Sequence, residues 1–214
     1  MKLKNDYIKL DPKSRLYHSD IPIIGLTGGI ATGKSTVAKI LKKLGHPIID
    51  ADALVKEVYK TEQAISYIKS RYPDVFEKEK INFPKLRKVF FNDSHAQARI
   101  EDFIYKLLPT AFELALDAMP ESNYIIYDVP LLFEKQIEKK VDISICVYIP
   151  EETQKQRLKE RDQINDELIE TILKSQMNIE EKKKKADFVI ENTKDLDFLS
   201  EQVDRLCEEI FISD

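Results

Sequence analysis

Residues 23–36 read Ile23-Ile24-Gly25-Leu26-Thr27-Gly28-Gly29-Ile30-Ala31-Thr32-Gly33-Lys34-Ser35-Thr36, an apolar run passing into the pattern G-x-x-x-x-G-K-[ST] between Gly28 and Ser35. An amphipathic stretch follows, so the motif sits between a strand and a helix, the setting in which it forms a phosphate-binding loop. Glycines let the backbone wrap closely around phosphate oxygens, and the N–H groups at the start of the helix point at them. The candidate nucleotide-binding residues are therefore Gly29, Ile30, Ala31, Thr32, Gly33, Lys34, Ser35 and Thr36. Lys34 suits a bridge between β- and γ-phosphates, and the Ser35 hydroxyl suits a Mg²⁺ ligand, so ATP with Mg²⁺ is the expected ligand. Only five glycines occur in the chain, and four of them, Gly25, Gly28, Gly29 and Gly33, crowd into this stretch. The fifth, Gly45, is placed to cap the following helix ahead of Pro47.

Working outward, strand-length apolar runs recur at Ile21–Thr27, Pro47–Asp50, Tyr124–Val129, Ile143–Tyr148 and Phe188–Glu191, with helical patterns between them. Nearly continuous apolar strands alternating with helices predict an α/β fold, a parallel sheet covered on both faces. About seventy residues separate the second run from the third, too many for a simple crossover, and their pattern is helical. This interval is the candidate inserted subdomain. Inside it Asn82-Phe83-Pro84 offers a helix start, Pro109 is expected to kink or interrupt a helix, and Pro120 closes the segment. After the fourth run Pro150-Glu151 opens a charged helix to Arg161, and two further helical segments reach Ala186, a candidate lid. The run Lys182–Lys185 within it reads as a solvated helix face, with a phosphate contact as the alternative.

With 43% hydrophobic and 34% charged residues, the chain has the make-up of a soluble globular protein, and no apolar run approaches the roughly 20 residues that span a bilayer. Residues 1–20 are polar, with no apolar segment of the kind a secretory signal needs, and read as a tail. Cys146 and Cys207 suit small buried side chains in a reducing, cytoplasmic setting, with no disulfide expected. The net charge of −4 offers no footprint for nucleic acid. His18, His46 and His95 have no ligand-type partners at metal-binding spacing and read as surface histidines.

The remaining motifs narrow the class. The string Asn192-Thr193-Lys194-Asp195 has the wrong order for the base-reading N-K-x-D of a GTPase, and no transporter signature is present. A small kinase acting on a metabolite remains. Such an enzyme needs a carboxylate to take the acceptor's proton, and Asp50 and Asp52 follow the second strand at the end where parallel sheets bind ligands. Asp128 ends the third strand, where a carboxylate could hold Mg²⁺ directly or through water. Arg157 and Arg161, four apart, share one helix face, and either could stabilise charge on the transferring phosphoryl group.

Taken together, these residues resemble the dephospho-coenzyme A kinase family. The specific strings are Gly25-Leu26-Thr27-Gly28-Gly29-Ile30 with Gly33-Lys34-Ser35-Thr36, then Ile49-Asp50-Ala51-Asp52, Val129-Pro130-Leu131-Leu132-Phe133-Glu134, and Ala186-Asp187-Phe188-Val189-Ile190-Glu191-Asn192. The resemblance implies ATP-dependent phosphorylation of the ribose 3′-hydroxyl of dephospho-CoA, with Asp52 as catalytic base, Lys34 bridging phosphates and Arg157 as the lid arginine. It also implies a P-loop three-layer α/β/α sandwich with a five-stranded parallel sheet. The core would comprise 21–59, 121–150 and 187–214, with a helical substrate-binding insertion at 60–120 and a two-helix lid at 151–186. A monomer or weak oligomer is expected. Departures fall on the substrate side: Leu108 stands before Pro109 where the family usually has His, and Phe83 where an Arg is common. Ala31 replaces a usual glycine, and residues 1–20 have no counterpart in a typical member. Two other readings stand beside this one: a kinase for another nucleoside or small alcohol, and a nucleotide-binding regulator with little catalysis.

Overall fold

The computed structural model describes residues 1–212. In chain order the elements are β1 (Lys2–Leu3), β2 (Ile23–Gly28), α1 (Lys34–Lys43), β3 (Ile48–Asp50), α2 (Ala51–Val58), α3 (Glu62–Arg71), β4 (Phe76–Glu77), β5 (Lys80–Ile81), α4 (Phe83–Asn92), α5 (Ser94–Asp117), β6 (Ile125–Asp128), β7 (Ile143–Tyr148), α6 (Glu151–Asp162), α7 (Asp166–Lys174), α8 (Ile179–Lys185), β8 (Phe188–Glu191), α9 (Leu196–Ile210) and β9 (Phe211–Ile212). They group into two compact units, one of Met1–Asp50 with Pro120–Asp214 and one of Ala51–Met119.

The first unit is built on a five-stranded sheet in the order β3-β6-β2-β7-β8, parallel throughout. Its strands are the five apolar runs, with ends trimmed where flanking residues leave the ladder: β2 starts at Ile23 rather than Ile21 and extends to Gly28. Alternation along the strands sends Ile24, Leu26, Ile145 and Val147 to one face, where they pack with Val37 and Leu41 of α1 and Leu199 and Val203 of α9. Cys146 and Tyr148 face the other way, against Ile179 of α8. Two helical layers therefore enclose the sheet. Burial pushes the thiols of Cys146 and Cys207 up to about 12. Among the described residues, no helix is long and apolar enough to cross a membrane.

Three expectations change. Residues 1–20, read as a polar tail, pack against the rest of the first unit. β1 pairs antiparallel with β9, and Lys4 Nζ donates to the Glu208 and Glu209 carbonyls at the end of α9, at 3.0 and 2.7 Å. Arg15 is buried and donates through Nε to Asp142 Oδ2 at 2.9 Å, while the Asp142 carboxylate also accepts from the amides of Lys9, Leu10 and Ile23. The buried charge is tolerable because its acceptor capacity is filled.

His46, read as a surface residue, is 4% exposed, with Nδ1 2.6 Å from the Tyr124 hydroxyl and its ring against Phe211. Burial, then the nearby chain amino group, lowers its pKa. A histidine held neutral in the folded state contributes stability that is complete above its unfolded pKa of about 6.5 and is lost as pH falls below it. The melting temperature is expected to drop on acidification through that range, and the drop should be shallower in His46→Gln; equal slopes would remove His46 as the cause.

The second unit is helical, with α2 and α4 packing on α5 and a short β4–β5 hairpin. Asn82 caps α4 as expected, its side chain accepting from the Lys85 amide. Pro109 does not interrupt α5, which runs on from Ser94 to Asp117. A proline inside a helix costs about 3 kcal/mol, but Ala96, Ile100, Ile104, Leu108 and Phe112 are buried at four-residue spacing on both sides of it. Burying each of the larger apolar side chains returns about 1.5–3 kcal/mol, so the continuous stripe outweighs the lost hydrogen bond.

Candidate active site

The chain turns sharply after β2. Ala31 and Gly33 both have positive φ, 60° and 89°, and α1 begins at Lys34. Every carbonyl from Gly28 to Gly33 has a donor. Gly28 O accepts from Lys182 Nζ (3.3 Å), Gly29 O from Thr32 Oγ1 (2.8 Å) and Ile30 O from Gln154 Nε2 (2.7 Å). Ala31 O accepts from Arg157 Nη1 (3.5 Å), Thr32 O from Asn192 Nδ2 (2.8 Å) and Gly33 O from the Thr36 amide (2.9 Å). With the negative ends of these peptides tied to donors, the loop offers amides to an anion, helped by the unpaired N–H groups that open any helix.

Lys34 and Ser35 lie in the first turn of α1, Ser35 exposed and Lys34 half-buried. Lys34 Nζ is paired with the Asp128 carboxylate at the end of β6. Asp128 is buried and lies in register between Leu26 of β2 and Asp50 of β3, so two carboxylates stand side by side at the sheet's C-terminal edge. Ser35, Asp128 and Asp50 supply only oxygen donors, the set a hard divalent cation prefers, and Mg²⁺ typically takes one or two carboxylates and completes its shell with phosphates and water. The residues present fit Mg²⁺.

A cleft of 640 Å³ opens over the loop, lined by Gly29, Lys34, Ser35, Pro130, Arg157 and Arg161 among others. Both arginines of α6 reach it. Arg157 is half-buried and anchored through Nη2 to Asn192 O at 3.0 Å, whereas exposed Arg161 is held in a fork by its neighbour Asp162. Arg157 is thus the better oriented of the two. Asp52 belongs to the other compact unit, exposed in the first turn of α2 just past the end of β3. In that unit Leu108 is a core residue, and Phe83 lies edge-on to Tyr59 with ring centroids 5.4 Å apart.

Four residues of this arrangement were not assigned to the phosphate loop from the sequence: Gln154, Gln176, Lys182 and Asn192. Gln176 Oε1 accepts from the Ile30 amide at 3.1 Å, so Gln154 and Gln176 hold both polar groups of Ile30. Lys182 is fully buried, contrary to the solvated face expected of Lys182–Lys185, because the turn that buries Ile179 turns the residue three further on inward as well. Lys184 and Lys185 do face solvent.

Gly33 has no latitude. A Cβ there would require a left-handed conformation and would collide with the Asn192 side chain that braces Thr32. Gly33→Ala is expected to weaken ATP binding by about tenfold or more, the scale of 1–3 kcal/mol of backbone strain. Calorimetric titration with ATP on the folded variant checks it.

Comparison with known proteins gives the family and the fold. The dephospho-CoA kinase family model matches residues 22–197. The chain is 40% identical over 192 residues to a dephospho-CoA kinase of Fusobacterium nucleatum, covering 89% of this chain and 99% of that one. It is 37% identical over 190 residues to that of Bartonella quintana, covering 88% and 97%. Among solved structures, a Thermus thermophilus protein superposes with a TM-score of 0.78 at 28% identity, over 90% of this chain and 99% of that chain. The dephospho-CoA kinase of Campylobacter jejuni superposes at 0.68, also 28% identical, over 87% and 96%. The chain belongs to the dephospho-CoA kinase family.

Proposed function

We propose that the chain transfers the γ-phosphoryl group of ATP to the ribose 3′-hydroxyl of dephospho-CoA, giving coenzyme A and ADP. The observation that carries this reading is the phosphate loop with all its carbonyls from Gly28 to Gly33 bonded to donors, beside Lys34 and Asp128 and under Arg157. The amides of Gly33, Lys34 and Ser35 hold the β-phosphate, and Lys34 leaves Asp128 to bridge the β- and γ-phosphates. Arg157 meets charge building on the transferring group. Asp52 takes the proton of the 3′-hydroxyl as the new O–P bond forms and the bond to the β-phosphate oxygen breaks, releasing ADP. Ser35 and Asp128 would hold Mg²⁺, which supplies charge neutralisation on the phosphates.

In this reading 60–120 holds the acceptor, 151–186 is the lid and the remainder from residue 21 is the core, in a cytoplasmic monomer or weak oligomer. The test is CoA formation from dephospho-CoA and Mg-ATP. A folded protein that binds ATP and yields no CoA would reject the assignment, and turnover on a nucleoside instead would move it to another acceptor.

A further inference from the structure

Lys182 has no place in the chemistry just described, yet its side chain is completely shielded from solvent. Two carbonyls and a carboxylate surround its ammonium. Nζ lies 3.3 Å from Gly28 O where β2 becomes the phosphate loop, 2.8 Å from Pro130 O in the segment after β6, and 2.9 Å from Glu134 Oε1. Glu134 Oε1 also accepts from the Met177 amide ahead of α8, at 2.9 Å, while its Oε2 is buried with no hydrogen-bond partner. One cation thus joins the entry of the phosphate loop, the segment following the Asp128 strand and the start of α8.

An ion pair in such a position gains little net stability over apolar side chains of the same size, because taking two charges out of water costs about what their attraction returns. What it does supply is geometry. An ammonium with three fixed acceptors permits one placement of Gly28 O relative to Pro130 O, and therefore one placement of the loop relative to the strand that carries Asp128.

We propose that Lys182, with Glu134 as its counter-ion, is a positioning residue that sets the phosphate loop for ATP from behind. The inference rests on the kinase reading for its activity arm only; its ATP-binding arm stands without it. In Lys182→Met the carbonyls of Gly28 and Pro130 lose their common donor, and the loop is free to rotate its peptides. ATP affinity is expected to fall about tenfold and kcat/KM for ATP by up to about a hundredfold, the scale of a small misplacement of reacting groups. KM for dephospho-CoA should stay near the wild-type value. Lys182→Arg, which keeps a buried multi-donor cation, should recover most of the ATP affinity.

Because Lys182→Met leaves the half-buried Glu134 without this cation and could unfold, Lys182→Met/Glu134→Gln is measured beside it; it removes both charges and retains the loop defect. The experiment is calorimetric ATP binding, steady-state CoA formation and thermal melting on all three variants. A folded double variant with wild-type ATP affinity overturns the proposal, as does a set of variants whose melting temperatures fall while KM for ATP does not move. Weakened ATP binding restored by arginine upholds it, even if the wild type turns out to use another acceptor.

Discussion

Lys34→Ala is expected to lower kcat/KM for CoA formation by about a hundredfold or more, the effect of removing one fixed charge from a site where charge moves between phosphates. The first turn of α1 holds Lys34 at the loop, and its side chain is 19% exposed, so its field on a phosphate is screened less than that of a surface lysine. Without nucleotide its partner is Asp128, whose side chain is 7% exposed. Deleting the ammonium therefore takes a cation away from a nearly buried carboxylate, a stability cost that must be separated from the catalytic one. Rates should be taken well below the melting temperature, with Lys34→Ala/Asp128→Asn as a companion that removes the stranded charge. Recovery of the melting temperature in the double variant assigns the stability cost to the carboxylate, and a rate loss in folded Lys34→Ala itself, where Asp128 is intact, places Lys34 in the chemistry. Near wild-type turnover in folded Lys34→Ala would show that the phosphates are held by backbone amides and Arg157 alone.

What could be read from the chain alone was local. The loop from Gly28 to Ser35 is a contiguous pattern, and Asp128 ends an apolar run, so neither needs knowledge of what lies across the molecule. The five strands were legible for the same reason, since burial on both faces makes each a continuous apolar run. The braces of the loop were not. Gln154 lies 124 residues from Ile30, Lys182 lies 154 from Gly28 and Asn192 lies 160 from Thr32. Each is a polar side chain that local reasoning sends to solvent, and only tertiary contact gives it a buried carbonyl to bond. His46 was misread on the same grounds: Tyr124 makes its burial tolerable and lies far along the chain. Pro109 does not interrupt its helix for the opposite reason, a strong local breaker overruled by a buried stripe on either side of it.

Asp52→Asn should separate chemistry from binding most cleanly. Asparagine keeps the shape of the side chain and cannot accept a proton, so kcat is expected to fall by about a hundredfold or more, the contribution typical of a positioned general base. Calorimetric affinity for ATP should not change, because the groups proposed to hold the phosphates, the loop amides and Lys34, are untouched. A competing role is structural: Asp52 is the acidic residue in the first turn of α2, where a negative charge favours the helix by about 0.3–1 kcal/mol. That role predicts a small loss in melting temperature and an unchanged kcat. Asp50→Asn is the necessary comparison, since Asp50 ends β3 in register with Asp128 and was the other candidate base. If Asp50→Asn abolishes turnover while Asp52→Asn leaves it intact, the base is Asp50. If both lower kcat but only Asp50→Asn weakens the dependence of rate on Mg²⁺, then Asp50 serves the metal beside Asp128, and Asp52 alone takes the proton.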